Sequence, residues 1–272
     1  MADIDITRRP FAGLAGEADW VALSQVIPAG TATARFNTKN GGGDITVVTM
    51  LPRVRPAWKA ADGTLFLALQ TTYSSGDQSR DLAQALALAK DVDAGTPVES
   101  IDIQKEGPRL QDVLDTGAPF TVQVLGSFDY WEELSADSAE YRDAIDEAAK
   151  VLDETAAVPD VPGAYWTLQN GRPYLRWSLG LEEGPLFDAL ARLQAKREAG
   201  VVEDAKYAGA FRAAGLVIPV WQLPAGTTQD QLTEPLAAYK TKLDAALAAG
   251  PELDANARRA RAGIVARSVT PR

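Results

Sequence analysis

The sequence predicts an α+β protein made of two tandem sheet-and-helix units in one compact body. Two turn signals, Asp62-Gly63 and Asn170-Gly171, each sit between short apolar runs and read as hairpin turns. Four longer stretches, Ser79–Lys90, Ser138–Leu152, Pro185–Glu198 and Thr233–Leu247, carry apolar residues at helical spacing. The order hairpin, helix, short helix, strand, long helix also occurs twice. With an offset of 98 residues, Gly117 falls on Gly215, Leu134 on Leu232, Tyr141 on Tyr239, Ile145 on Leu243, Asp146 on Asp244 and Ala148 on Ala246. The offset is 108 at Asp62-Gly63 against Asn170-Gly171 and 105 at Gly95 against Gly200. That drift leaves two readings open, an internal duplication or coincidence in an alanine-rich chain.

Taken in order, residues 1–57 form a lead-in and a hairpin. Met1–Arg9 is polar and reads as loose. Asp19 can cap a short helix anchored by Trp20 and Leu23, with Phe11 as a second plug. Thr31–Phe36 and Ile45–Met50 alternate as strands around the glycine-rich Asn37–Asp44. The first α/β unit, 58–155, continues with strands at Ala57–Ala60 and Thr64–Gln70 and the helix Ser79–Lys90. Val98–Ile103 reads as a strand, Pro108–Leu114 as a short helix and Pro119–Leu125 as a strand before the helix Ser138–Leu152. In that helix Tyr141, Ile145, Ala148 and Leu152 share a face, while Glu140, Arg142, Asp143 and Glu147 face water. Residues 156–163 (Ala156 to Gly163, with Pro159 and Pro162) read as a linker.

The second unit, 164–250, opens with the hairpin Tyr165–Leu168 and Pro173–Leu179. It continues through the helix Pro185–Glu198, stopped by Ala199-Gly200, a short helix Glu203–Ala213, the buried strand Leu216–Trp221 and the helix Thr233–Leu247. Residues 251–272 are an arginine-rich helix and tail.

Composition excludes several classes of chemistry. The chain of 272 residues has a net charge of −10 and neither cysteine nor histidine. Without them there is no disulfide framework, no Ser-His-Asp or Cys-His catalysis, and no imidazole or thiolate for zinc or haem. The acidic surface repels nucleic acid and anionic membrane. No apolar run approaches the ~20 residues of a membrane span, and Met1–Ile6 lacks the n- and h-regions of a signal peptide. The expectation is a cytoplasmic protein.

The stretch Arg9-Pro10-Phe11-Ala12-Gly13-Leu14-Ala15-Gly16-Glu17-Ala18-Asp19-Trp20-Val21-Ala22-Leu23 resembles the signature of an uncharacterised actinobacterial family of unknown function. Its members often carry labels such as preprotein translocase SecA or topoisomerase. The resemblance continues through Ile27–Ala32, Leu69–Asp81 and Asn256–Gly263, nearly the whole chain. It implies no established activity and no catalytic residue. The translocase label fits short metal-binding tails, for which this chain has no Cys or His. Many members begin with a Lys/Arg-rich head that is absent here.

Three places invite a binding role. Ser74–Asp81 is a small polar loop before a helix, which could set backbone N–H groups around an anion with Ser79 and Arg80 assisting. The plain alternative is a capped helix start, with Ser79 or Asp77 as the cap. Phe128, Tyr130 and Trp131 concentrate aromatic surface beside acids, as a recognition patch or as the cover of a core. Arg258, Arg259 and Arg261 belong to the stretch Arg258–Arg272, which has five arginines and no acid and leaves −15 on the rest. They either pair with the acidic body or grip RNA phosphate. The carboxylates Glu182-Glu183, Asp91 and Asp93 have no spacing that marks a catalytic or magnesium site.

The expectation is a non-enzymatic interaction or regulatory module whose partner is another protein, with no cofactor, no metal and no membrane. Nucleic acid is expected only through the C-terminal arginines. The alternatives are a carboxylate-based, magnesium-dependent hydrolase and a ribosome- or RNA-associated protein.

Overall fold

A computed structural model describes residues 6–134 and 139–269. The expected looseness of Met1–Arg9 falls partly outside them, as do Ser138 and the tail from Thr270 to Arg272. The protein is α+β, with two six-stranded sheets, and the chain divides between Leu152 and Asp153 into two compact units.

Unit 1 opens with α1 (Glu17–Gln25). Its N-cap is Gly16 in the left-handed region (φ 71), so Asp19 lies inside the first turn and is not the cap. An alanine there would have both the wrong φ and a Cβ 3.2 Å from Phe120. Trp20 stacks between Phe11 (5.6 Å) and Phe120 (4.0 Å), which buries the apolar side of the helix.

The sheet comprises β1 (Gly30–Arg35), β2 (Asp44–Val48), β3 (Ala57–Lys59), β4 (Leu65–Ala68), β5 (Thr96–Val98) and β6 (Val122–Val124), in the order β5-β3-β4-β2-β1-β6. Two antiparallel hairpins, β1–β2 and β3–β4, meet through a parallel β2–β4 pair. The helices are α2 (Gln78–Asp91), α3 (Leu110–Val113) and α4 (Ala139–Ala149), and α2 packs on β3, β4 and β5.

Unit 2 has β7 (Glu154–Ala157), β8 (Ala164–Gln169), β9 (Arg172–Trp177), α5 (Glu183–Ala195), β10 (Lys206–Ala213), β11 (Leu216–Gln222), α6 (Thr233–Ala248), α7 (Ala255–Ala266) and β12 (Ser268–Val269). The sheet order is β12-β10-β11-β9-β8-β7. Asn170 (φ 50) and Gly171 (φ 73) make the expected tight turn between β8 and β9, where both central residues need positive φ. The core joins Trp166, Trp177, Phe187, Leu190, Trp221, Leu236, Tyr239 and Leu243.

Three expectations are corrected. Within Glu203–Ala213 the chain forms a turn and then the strand β10 (Lys206–Ala213) rather than a short helix. Its alanines favour helix locally, but Ala214-Gly215 turns the chain with positive φ (43 and 78) and pairs it with the β-branched, aromatic Leu216–Gln222. Residues 156–163 are not a free linker, because Ala156 and Ala157 belong to β7 and Val158 is buried in the unit 2 core.

Pro119–Leu125 and Leu216–Trp221, matched by the 98-residue offset, hold unrelated positions. β6 is an edge strand on β1, whereas β11 lies inside its sheet between β10 and β9. The central pair is parallel in unit 1 (β2–β4) and antiparallel in unit 2 (β9–β11). Matching order along the chain therefore does not mean matching placement in the sheets.

Candidate anion-binding site

The residues singled out from the sequence are mostly engaged inside their own units. At the start of α2 the cap is Asp77, whose carboxylate accepts from the N–H groups of Ser79 and Arg80 and lies 2.8 Å from the Arg109 guanidinium. An internal carboxylate thus occupies the place an outside anion would take. Ser79 is fully buried. Its hydroxyl donates to the Gln111 side chain (2.7 Å) and accepts from the Leu110 N–H (2.9 Å). Arg80 is half-buried on the same turn, and its Nε has no hydrogen-bond partner among the described residues.

Phe128, Tyr130 and Trp131 are buried in the core of unit 1, so they form no exposed patch. Phe128 stacks on Trp131 at 4.9 Å. The Tyr130 hydroxyl and the Trp131 indole N–H both donate to the Met50 carbonyl, at 2.6 and 3.0 Å. Burial pushes the Tyr130 hydroxyl up to about 12, against the pull of Thr49 and Met50. These rings close the core over the residues that follow β2.

The three arginines of α7 differ in role. Arg261 donates to Asp188 on α5 at 2.6 Å. Arg258 donates to the carbonyl of Leu253, and Arg259 is exposed.

A different set of cations converges in unit 2. A cavity of about 420 Å³ is lined by Gln194, Arg197, Ala199, Gly200, Ala205, Lys206, Tyr207 and Arg267. Three of these carry positive charge and none carries negative charge. Among the described residues no carboxylate pairs with Arg197, Lys206 or Arg267. A neighbouring cavity of about 410 Å³ shares Arg197 and sets Glu198, Glu203 and Asp204 beside Lys242.

Local folding places each cation. Arg197 follows the last residues of α5 with φ 61. Its N–H donates to the Gln194 carbonyl (3.1 Å), and the Glu198 N–H donates to the Leu193 carbonyl (2.8 Å). This is the Schellman arrangement, in which the left-handed residue is usually glycine. Arginine holds that place here, while Gly200 lies further on. A Cβ on Gly200 would sit 2.9 Å from the Ala205 carbonyl, so the loop closes tightly on itself.

Arg267 arrives from the end of α7. Its Nη1 donates to the Tyr207 carbonyl (3.2 Å), its Nε donates to the Gly263 carbonyl (3.2 Å), and the guanidinium lies 5.3 Å over the Tyr207 ring. Gly209 makes the approach possible, since a Cβ there would come within 2.6 Å of the Arg267 carbonyl. Lys206 is exposed at the start of β10.

The floor is rigid. Trp221 is fully buried and donates its indole N–H to the Ala199 carbonyl at 2.7 Å. Its ring meets Tyr207 at 5.9 Å and Tyr239 at 5.6 Å, both edge to face. Tyr207 and Tyr239 are 7% and 3% exposed, and neither hydroxyl has a hydrogen-bond partner at bonding geometry among the described residues. Burial pushes the Tyr207 hydroxyl up to about 12, although Arg267 and Ser268 pull it down. Burial raises Tyr239 as well. Both are neutral at physiological pH and can donate.

Sequence reasoning missed Arg197, Lys206, Tyr207 and Arg267. Arg197 and Arg267 are 70 residues apart, and neither lies in a motif. The one available signal was an arginine, rather than Gly200, close behind the apolar stripe of α5.

Fold and site together define an α+β protein of two sheet units, the second bearing a basic cavity on an acidic chain. The chain belongs to the family of unknown function DUF5926, whose family model matches residues 10–272. No curated protein and no solved structure matches it.

Proposed function

We propose that this protein is a non-enzymatic interaction or regulatory module whose second unit binds an anionic ligand in the cavity between the end of α5 and the start of β10. The observation that carries this reading is the convergence of Arg197, Lys206 and Arg267 in one cavity without an acid, on a chain of net charge −10. Charges of one sign gathered in a concave site raise the local potential there, and the acidic remainder sharpens the contrast. The lining offers donors but no pair of carboxylates and no activated nucleophile.

The resemblance carried by Arg9–Leu23 suggests an actinobacterial source, and ligand uptake in the cytoplasm would control its association with another protein. The magnesium-dependent hydrolase is the second class. Among the described residues no group of three or more Asp and Glu side chains is gathered closely enough to hold a metal ion.

The test is a thermal-denaturation panel of the full chain with small anions, small cations and neutral analogues at low and moderate salt. Stabilisation by anions alone, weakening with salt, is the expected result. Equal response to neutral analogues, or turnover of any anion in the panel, contradicts the reading.

A further inference from the structure

The geometry points to a phosphate monoester, rather than a carboxylate, as the ligand of the Arg197–Lys206–Arg267 cavity; this rests on the anion-binding reading above. Charge comes first. Two arginines and one lysine line the same space, and a phosphate monoester near neutral pH carries about −1.5 to −2 with three acceptor oxygens. A carboxylate carries a single charge on two oxygens and would leave most of that positive charge unmet. Guanidinium forks also match phosphate oxygens in pairs, while an ammonium acts as a point charge beside them.

Tyr207 adds an aromatic wall beside the cations and is more than nine-tenths buried. The volume of about 420 Å³ falls within the range of about 300–1,000 Å³ typical of small-molecule sites. The space therefore suits an ester with a small organic part beside Tyr207.

Backbone conformation supplies an independent observation. Arg197 holds the left-handed position of a Schellman cap, where glycine is favoured, and left-handed backbone is strained for a side chain. Such strain is often kept where a site uses it. In this protein it places Arg197 in the wall of the cavity.

Arg197→Gly separates a ligand role from a structural one, because glycine is the better residue for the cap and the worse one for the anion. The experiment is isothermal titration of the full chain with phenyl phosphate, benzoate and inorganic phosphate, on the natural sequence, Arg197→Gly and Lys206→Ala. Lys206 is exposed, so its variant folds independently of any strain at the cap. Phenyl phosphate is expected to bind at least tenfold more tightly than benzoate. Each variant is expected to weaken phenyl phosphate by roughly tenfold or more, with the melting temperature of Arg197→Gly unchanged or raised. Benzoate binding as tightly as phenyl phosphate overturns the phosphate assignment and leaves the anion-binding reading standing. Binding of both anions that neither variant weakens removes the cavity as the site, and with it both readings.

Discussion

Trp221→Phe tests whether the floor of the cavity is anchored as described. The indole is fully buried, donates to the Ala199 carbonyl at 2.7 Å, and packs edge to face on Tyr207 and Tyr239. Phenylalanine keeps one ring and both aromatic contacts but cannot donate. A hydrogen bond of this kind contributes about 1 kcal/mol, and leaving its buried acceptor unpaired costs about that much again. Full truncation of a buried tryptophan costs about 3–5 kcal/mol, so losing the smaller ring of the indole costs about 1 kcal/mol. The sum is about 2–3 kcal/mol. With a urea m-value of about 2 kcal/mol/M, the midpoint falls by roughly 1 M. Urea unfolding of the full chain by circular dichroism measures that shift, and hydrogen exchange resolves where it acts. Exchange should quicken first between Ala199 and Ala205, the loop the indole holds. A midpoint shift below about 0.3 M, or unchanged exchange in that loop, refutes the anchoring argument.

Three further outcomes follow from particular contacts. Ala214→Gly should raise stability by about 0.5 kcal/mol in urea unfolding, because alanine at φ 43 in the two-residue turn is strained where glycine is not. At Glu183, the hydrogen bond from Arg212, outweighing partial burial, holds the carboxylate below its ordinary value of 4.5. A depressed folded-state value contributes stability that is present above about pH 4.5 and lost as pH falls through the folded value. Glu183→Gln should therefore flatten the acid limb of stability against pH below 4.5, by about 0.5 kcal/mol at this exposed pair. Changing Arg258, Arg259 and Arg261 together to alanine should leave binding to single-stranded RNA undetectable at ~0.15 M salt, as before the change, and lower the melting temperature slightly by removing the Arg261–Asp188 pair. Micromolar RNA binding that disappears in this triple variant would instead favour an RNA-associated protein.

The fold was legible where short-range chemistry decides it. Asn170-Gly171 specifies a tight turn by itself, and the stripe of Leu236, Tyr239 and Leu243 specifies the buried face of α6. It was illegible where pairing partners overrule local preference. Lys206–Ala213 contains three alanines, a glycine and no β-branched residue, so little beyond Tyr207 and Phe211 announces a strand. Its conformation comes from Leu216–Gln222 across a turn whose left-handed Ala214 no propensity reveals. The parallel β2–β4 pair joins separate hairpins and leaves no local trace.

The site escaped for the same reason. Its cations come from the end of α5, the start of β10 and the C-cap of α7, and they meet only through the Schellman cap at Arg197 and the close pass of Arg267 over Gly209. The aromatic run Phe128–Trp131 was conspicuous in sequence for its density, yet density of rings does not distinguish a core from a surface.

The central claim is that the cavity on unit 2 is where an anion binds. Backbone amide NMR shifts of the full chain, followed during titration with phenyl phosphate, test it most directly. The account predicts saturable shifts gathered at Gln194–Tyr207 and at Arg267. Shifts gathered instead at Ser74–Arg80, before α2, or scattered evenly over exposed lysines and arginines, would contradict it.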